Sequence, residues 1–278
     1  MNVDELGDRM KEYELRETGR RFMPLLPVYA RIDGRGFTKF TKDMKRPYDK
    51  IISDLMITTV IGMVEHTNAQ IGYTQSDEIN LVWLTEDLKS EIFFGGKIQK
   101  TTSILASLAT AIFTRALLKG PYAEKAERMP HFDARAFSLP NKTEATNAFL
   151  WRELDATKNS VSMAARAYYS AKELNGKKSA EMQEMLFAKG VNFNEYPDFF
   201  KRGSYVRRVT RENTLLEEER GRIPEKHRKA PNVTFLRSSV ERIEMPRLSR
   251  IANRENVIFD GAEPVLFEKT VNASNQAA

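Results

Sequence analysis

A chain of 278 residues, 41% apolar and 29% charged, has material for one large core or two small ones, and no stretch approaches the ~18 consecutive apolar residues of a membrane span. Cysteine is absent, which excludes disulfides, thiol nucleophiles and cysteine-bound zinc; with His66, His131 and His227 scattered, any metal must rest mainly on oxygen ligands. The net charge of +6 is concentrated in residues 201–254, where fifteen Lys and Arg face seven Asp and Glu: a field suited to a polyanion such as nucleic acid, or else a solvated face.

The first residues, Met1 to Arg21, are too charged for a secretory leader, so a cytoplasmic location is expected. Within them Leu6, Met10, Tyr13 and Leu15 predict a mostly exposed helix packed along one narrow stripe. Val28 to Asp33 reads as a strand. A helix follows Pro47, from about Asp49 to His66, with Ile52, Leu55, Met56, Val60, Met63 and Val64 near helical spacing. Ala69 to Tyr73 and Ile79 to Leu84 read as a hairpin joined through Thr74-Gln-Ser-Asp-Glu78. After Gly95-Gly96 a long helix runs from Lys97 to Leu118, and Phe132 to Leu139 is the next strand.

This β-α-β-β-α-β order is the split unit of ferredoxin-like folds, an antiparallel sheet with both helices on one face. If its first and third strands are neighbours, Asp33 and Asp77, 44 positions apart, meet at one sheet edge with Glu78 beside them. Asp33 ends a strand and opens into Gly34-Arg35-Gly36-Phe37, where glycines permit the positive φ angles that turn successive amides toward an anion. Asp-Gly after a strand is also an ordinary turn, but the second acidic pair favours a metal-bound phosphate. Adjacent carboxylates repel unless cations neutralise them, and a pair of Mg²⁺ ions clamps the attacking and leaving oxygens of a phosphoryl transfer, as in a polymerase-type palm.

Beyond this unit, Thr143 to Ala188 reads as helices interrupted at Asn175-Gly176, with Trp151, Tyr168 and Tyr169 expected in the core more than as base-stacking groups, and Arg152 with Asp155 as an intrahelical pair. Glu217 to Lys229 reads as a linker or surface loop, Val257 to Phe259 and Val265 to Phe267 as short strands, and 272–278 as disordered. The expected division is a palm with its N-terminal helix over 1–140, a helical and strand region over 141–210, and a basic extension over 211–278. Arg207, Arg208, Arg228 and Lys229 of the basic stretch are expected to contact RNA.

Arg31-Ile-Asp-Gly-Arg-Gly-Phe37, Tyr73-Thr-Gln-Ser-Asp-Glu78 and Phe132-Asp-Ala-Arg135, in this order and spacing, resemble the tRNA-histidine guanylyltransferase family and its relatives, the 3′-to-5′ polymerases. The likeness continues through Trp151-Arg-Glu-Leu-Asp155 and Lys201-Arg-Gly-Ser-Tyr205. It implies an α+β palm fold, two Mg²⁺ ions, ATP, GTP and other nucleoside triphosphates as substrates, tRNA or tRNA-like RNA as partner, and a homotetramer or dimer. Position by position it implies Asp33 and Asp77 as metal ligands with the Gly34 carbonyl, Glu78 completing the acidic site, and Arg46, Ser76 and Asn159 as phosphate contacts alongside Gly34, Arg35, Gly36 and Phe37. Arg46 stands where the family usually has lysine before proline.

Two departures bear on substrate. Thr157-Lys-Asn-Ser160 stands where family members specialised for tRNA-histidine have His-Ile-Asn-Asn, and Glu181-Met-Gln-Glu184 replaces an Asp-Lys-Asn-Glu motif, so that the phosphate-binding lysine of that motif is either missing or replaced in its role by Lys177 or Lys178. The pattern resembles the relatives that repair truncated RNA 5′ ends against a template. Rival readings are untemplated guanosine addition, a palm-fold nucleotidyl cyclase and a non-catalytic RNA-binding protein; the last would carry a basic-Gly-Phe motif within a strand, whereas Arg35-Gly-Phe37 follows one.

Overall fold

The structure is a computed structural model, and it describes residues 3–90, 92–214, 221, 224–225 and 234–267. Its spine is an antiparallel sheet of six strands in the order β4-β1-β3-β2-β5-β6. The strands are β1 (Val28–Gly34), β2 (Ile71–Gln75), β3 (Glu78–Trp83), β4 (Phe132–Ser138), β5 (Ser204–Thr214) and β6 (Thr234–Ile243). β1 sits between β3 and β4, as the split topology requires.

Side chains alternate across the sheet, so each strand serves two cores. One face carries Val28, Ala30, Ile32, Ile79 and Leu81, covered by α3 (Lys50–Thr67) and α4 (Ile98–Leu117). Both helices of the split unit therefore pack on one face, as expected. α3 starts where Asp49 Oδ1 accepts the amides of Ile51 and Ile52 at 2.9 and 3.3 Å, and it ends at Asn68, whose φ of 52° closes the last turn. The opposite face carries Tyr29, Ile71, Tyr73, Val82 and Tyr205 and is covered by the 25-residue α5 (Lys142–Arg166), whose first turn is capped by Asn141.

α5 is longer than the sheet needs, and its C-terminal half builds a third core with α6 (Ala171–Leu174), α7 (Ser179–Ala188) and α8 (Asp198–Arg202). Tyr48, from the loop before α3, packs against Phe199 and Phe200 there. A helical lobe thus leans over one end of the sheet.

Several expectations need correction. The helix α1 (Val3–Thr18) leaves Leu6, Met10, Tyr13 and Leu15 exposed, so its stripe finds no core to face. Trp151, on α5, and Tyr168, just past its end, are also exposed, although Tyr168 hydrogen-bonds Tyr196 of the third core; only Tyr169 is half-buried, donating its hydroxyl to the Met185 carbonyl. The segment expected as a strand at Val257 to Phe259 belongs to a helix, α9 (Arg254–Phe259), since Val257 and Ile258 reach the second core together from adjacent helical positions. Of Val265 to Phe267, Leu266 makes only an isolated bridge with Ile251. β5 and β6 lie outside the strands that the sequence predicts; β5 runs through the expected 210/211 boundary, while most of the expected linker over 217–229, including His227, and the tail from 268 lie outside the described residues.

Candidate active site

The register of the central strands fixes the site. Asp33 is the partner of Glu78 on β3 and of Asp133 on β4, so three carboxylates stand in a row across one face of the sheet at its edge, with Asp77 in the turn beside them. The next row on that face is Arg135, Arg31 and Asn80, and the next Phe137, Tyr29 and Val82. Burial first, and then the charges of Glu78 and Asp133, raise the pKa of Asp33. Asp77 is pushed up to about 6 by burial, with Asp33 and Glu78 adding to the effect and a hydrogen bond from Ser76 Oγ at 3.0 Å opposing it. A carboxylate pair poised this way takes up a proton or a cation.

The remaining two acids are engaged. Glu78 accepts from Arg152 Nε and Nη2, each at 2.7 Å, and from Asn80 Nδ2 at 2.8 Å. Asp133 faces Arg135 at 4.0 Å. Among the described residues no group of three or more His, Cys, Asp or Glu side chains is arranged to hold a metal ion, and Glu78 is held by Arg152. What the protein offers a cation is the Asp33–Asp77 pair, which suits one whose shell is completed by substrate oxygens.

The glycine loop differs in detail from expectation. Gly36 does take a positive φ of 71°, where the loop enters the short helix α2 (Phe37–Phe40). Gly34 does not; it is glycine because a Cβ there would lie 2.4 Å from the Phe37 ring. The Gly34 amide donates to the Asp77 carbonyl at 3.0 Å and that of Arg35 to the His131 carbonyl at 2.9 Å, stitching the loop to the hairpin and to β4, so these two amides are not turned toward an anion. The Phe37 ring is buried against Phe40, Phe113 and Phe132, while Arg35 is exposed.

Beside Asp77 opens a cleft of about 430 Å³ between the sheet edge and the helical lobe. Arg46, Ser76 and Asp77 line it, as do Tyr48 and, from α5 and α8, Met163, Arg166, Phe199 and Phe200. Asn159 precedes Met163 by one turn of α5 and donates to Asp155 at 3.3 Å; Asp155 in turn pairs with Arg152 at 3.1 Å. Arg166 and Met163 escape sequence reasoning although they follow Asn159 on one helix face, Met163 at the i+4 and Arg166 at the i+7 position. The sequence pairs Arg152 with Asp155 alone; the structure adds Glu78.

Of the expected RNA contacts, the two that are described, Arg207 and Arg208, lie on opposite faces of β5. Arg207 lies on the α5 face of the sheet, half-buried beneath α9, with Nη1 3.5 Å from the Val257 carbonyl and Nη2 3.8 Å from Glu263. Arg208 points the other way and is exposed. Arg228 and Lys229 lie outside the described residues. Lys177 pairs with Glu181 at the start of α7.

Residues 7–140 match a family model described as Thg1: tRNAHis guanylyltransferase. The tRNA(His) guanylyltransferase of Schizosaccharomyces pombe is 32% identical over 209 residues, spanning 70% of this chain and 77% of that protein. The chain belongs to the tRNA(His) guanylyltransferase family. Among solved structures, a bacterial tRNA(His) guanylyltransferase (Thg1)-like protein in complex with ATP superposes with a TM-score of 0.74 at 30% identity, over 91% of this chain and 96% of that one. The enzyme from Saccharomyces cerevisiae gives 0.59 at 25% identity, over 69% and 90%. As a member of the guanylyltransferase family the chain is a 3′-to-5′ nucleotidyltransferase acting at the 5′ end of tRNA, which displaces the cyclase and the non-catalytic readings. No helix among the described residues is long and apolar enough to cross a membrane.

Proposed function

We propose that this nucleotidyltransferase rebuilds truncated RNA 5′ ends against the opposing strand. The observation that carries the reading is the wall of the cleft. Met163, Ala167, Phe199 and Phe200 give that wall an apolar stretch that contacts a base without base-specific hydrogen bonds, with Arg166 as the polar exception among them, which supports leaving the choice of nucleotide to pairing with a template. Thr157, which replaces the family's histidine, spends its hydroxyl on the Glu153 carbonyl within α5, and Met182, which replaces the lysine, packs in the third core.

In the proposed sequence a 5′-monophosphate oxygen attacks the α-phosphorus of ATP, the bond to the β-phosphate oxygen breaks, and pyrophosphate leaves. The 3′-hydroxyl of the incoming nucleotide then attacks the adenylylated 5′-phosphate; AMP departs and the hydroxyl proton passes to solvent. A 5′-triphosphate end needs only the second step. Asp33 and Asp77, with the Gly34 carbonyl, would hold divalent cations, which when bound lower the pKa of that hydroxyl and neutralise the triphosphate. Arg46 and Ser76 meet the triphosphate in the cleft. Glu78, held by Arg152, stands beside Asp33 and Asp77 and completes the acidic edge. The exposed apolar residues of α1 support self-association into a dimer or tetramer, which sedimentation would read.

Arg166 favours a second reading, because its fork matches the O6 and N7 acceptors of guanine. The two separate cleanly. Full-length tRNA-histidine competes with tRNAs lacking the first nucleotide, in Mg²⁺ with each NTP, and the opposing template base is then changed. Addition that follows the template base supports repair; guanosine addition indifferent to it restores the guanylyltransferase reading.

A further inference from the structure

Trp151 is a large aromatic side chain that the fold leaves mostly in water. It is 55% exposed on α5, yet it stands at the catalytic edge: the Arg152 guanidinium lies over its ring at 4.6 Å, and the same guanidinium grips Glu78 through two hydrogen bonds. A side chain worth 150–250 Å² of burial is thus held at the rim of the carboxylates with much of its ring in water.

Its direction along α5 says what it is for. From Trp151 to Met163 the helix rises roughly 18 Å, at about 1.5 Å per residue. The Met163 end faces the nucleotide cleft, of which Trp151 forms no part. The carboxylates receive Arg152 at the Trp151 end. In a displacement at those carboxylates the nucleotide enters from one side and the RNA end must arrive from another. On the Trp151 side the sheet face bears the rows of Arg135 with Arg31 and of Phe137 with Tyr29; Arg135 and Phe137, on the edge strand, are exposed, two cations and an aromatic suited to a nucleic-acid end.

We infer that Trp151 is the stacking platform for the terminal base pair of the RNA being extended. The inference rests on the 5′-end extension reading above. Arg152 fixes the ring from below, so stacking sets the distance between the RNA end and Asp33 and Asp77 without a base-specific contact, as an enzyme indifferent to sequence requires. The occupant is a helix end, whose flat outermost pair matches the free ring in shape and polarity.

The chain has two tryptophans, and Trp83 is 4% exposed with its indole N–H donated to the Thr67 carbonyl, so emission changes on ligand binding report Trp151. Titration with a 5′-truncated tRNA in Mg²⁺ without NTP should quench the emission, and Trp151→Phe should abolish that quench. Trp151→Ala should raise the KM for RNA by about 5- to 150-fold, from the usual worth of one base–aromatic stack, with the KM for NTP unchanged, and Trp151→Phe should restore most of it. Unchanged thermal melts would confirm the fold in both variants. A quench that survives Trp151→Phe, a quench produced by NTP alone, or an RNA KM unmoved by Trp151→Ala would each overturn the inference. If the wild type extends truncated RNA while Trp151→Ala behaves identically, only the stacking assignment falls; if the wild type extends no RNA, the functional reading falls, and the emission titration still decides where RNA docks.

Discussion

Arg152 and Glu78, 74 residues apart, meet in a two-pronged ion pair in which Nε and Nη2 each lie 2.7 Å from a carboxylate oxygen. Both side chains are 13% exposed, so the pair is shielded from most of the solvent that weakens surface bridges. It ties α5 to β3 beside Asp33 and Asp77. Arg152→Met should cost roughly 2–4 kcal/mol of stability, below the full penalty of a broken buried pair because some water reaches the site. Glu78→Gln should cost less, and the double variant less than the sum of the two. Chemical denaturation of the four proteins reads this coupling; additive losses would mean that the pair contributes nothing.

The acids at the edge should be indispensable and costly. Asp33→Ala or Asp77→Ala is expected to abolish nucleotide addition while preserving the fold, because a pair reduced to one carboxylate cannot hold two cations beside a triphosphate. Labelled-RNA extension in Mg²⁺, with circular dichroism as control, checks it; full activity in either variant would contradict a palm mechanism.

Asp77 also makes a pH prediction. Its folded pKa of about 6 lies above the usual ~3.9 of the unfolded chain, so between those values the native state binds more protons. Stability of the metal-free protein should therefore fall as pH rises from about 4 to about 6 and then level, by an amount on the order of 1–3 kcal/mol. Asp77→Asn should flatten this decline. Mg²⁺ should restore stability at pH 7.5 in the wild type and much less in the variant. Thermal melts across pH, with chelator and with Mg²⁺, give all three comparisons.

The two adjacent arginines of β5 should behave oppositely. Arg207→Ala, which removes a half-buried group beneath α9, is expected to lower the melting temperature by a few degrees, corresponding to about 1 kcal/mol, and to leave the salt dependence of RNA binding unchanged. Neutralising Arg208, Arg228 and Lys229 together should instead flatten the dependence of RNA affinity on salt. A salt series of RNA affinities tells the two apart, and an unaltered slope in the triple variant would place the RNA path elsewhere.

At Gly203 the backbone leaves α8 and enters β5 with φ 81°, and a Cβ there would come within 2.6 Å of the Thr74 carbonyl and of the Tyr73 ring. Gly203→Ala should therefore destabilise the protein by at least ~2 kcal/mol, through positive-φ strain and the displacement of β2 or β5. An unchanged urea midpoint would show that the two strands yield more easily than their contact implies.

The central unit is legible because its signals are local. Apolar periodicity marks β1, α3, the β2–β3 hairpin, α4 and β4, and the known habit of their order then brings Asp33 to Glu78. β5 and β6 escape because their outer halves, from Arg208 and from Thr234, are mostly exposed on both faces and rich in Arg, Ser and Thr, which removes the alternation that marks a strand. The two-pronged grip on Glu78 is equally hidden: Asp155 offers Arg152 a partner three residues away, and nothing local reveals one 74 residues distant. Trp151 departs from average behaviour, since aromatic residues at helical spacing are more often core; its exposure depends on which way α5 is turned, and that is set by Glu153.

That last residue has a wider consequence. Glu153 is buried and accepts hydrogen bonds from the Tyr205 hydroxyl and the Leu248 amide, both at 3.0 Å, while its neighbour Arg152 holds Glu78. Two consecutive residues, about 100° apart around the helix, thus key α5 to two different strands, and it can neither roll nor slide. The residues on its open flank, Trp151, Lys158, Asn159 and Arg166, can then be exchanged one at a time while the carboxylates stay where they are. With Trp151 and Arg166 in their proposed roles, a lineage can retune which RNA end and which nucleotide it accepts by rewriting one side of a single rod, inheriting its chemistry unaltered.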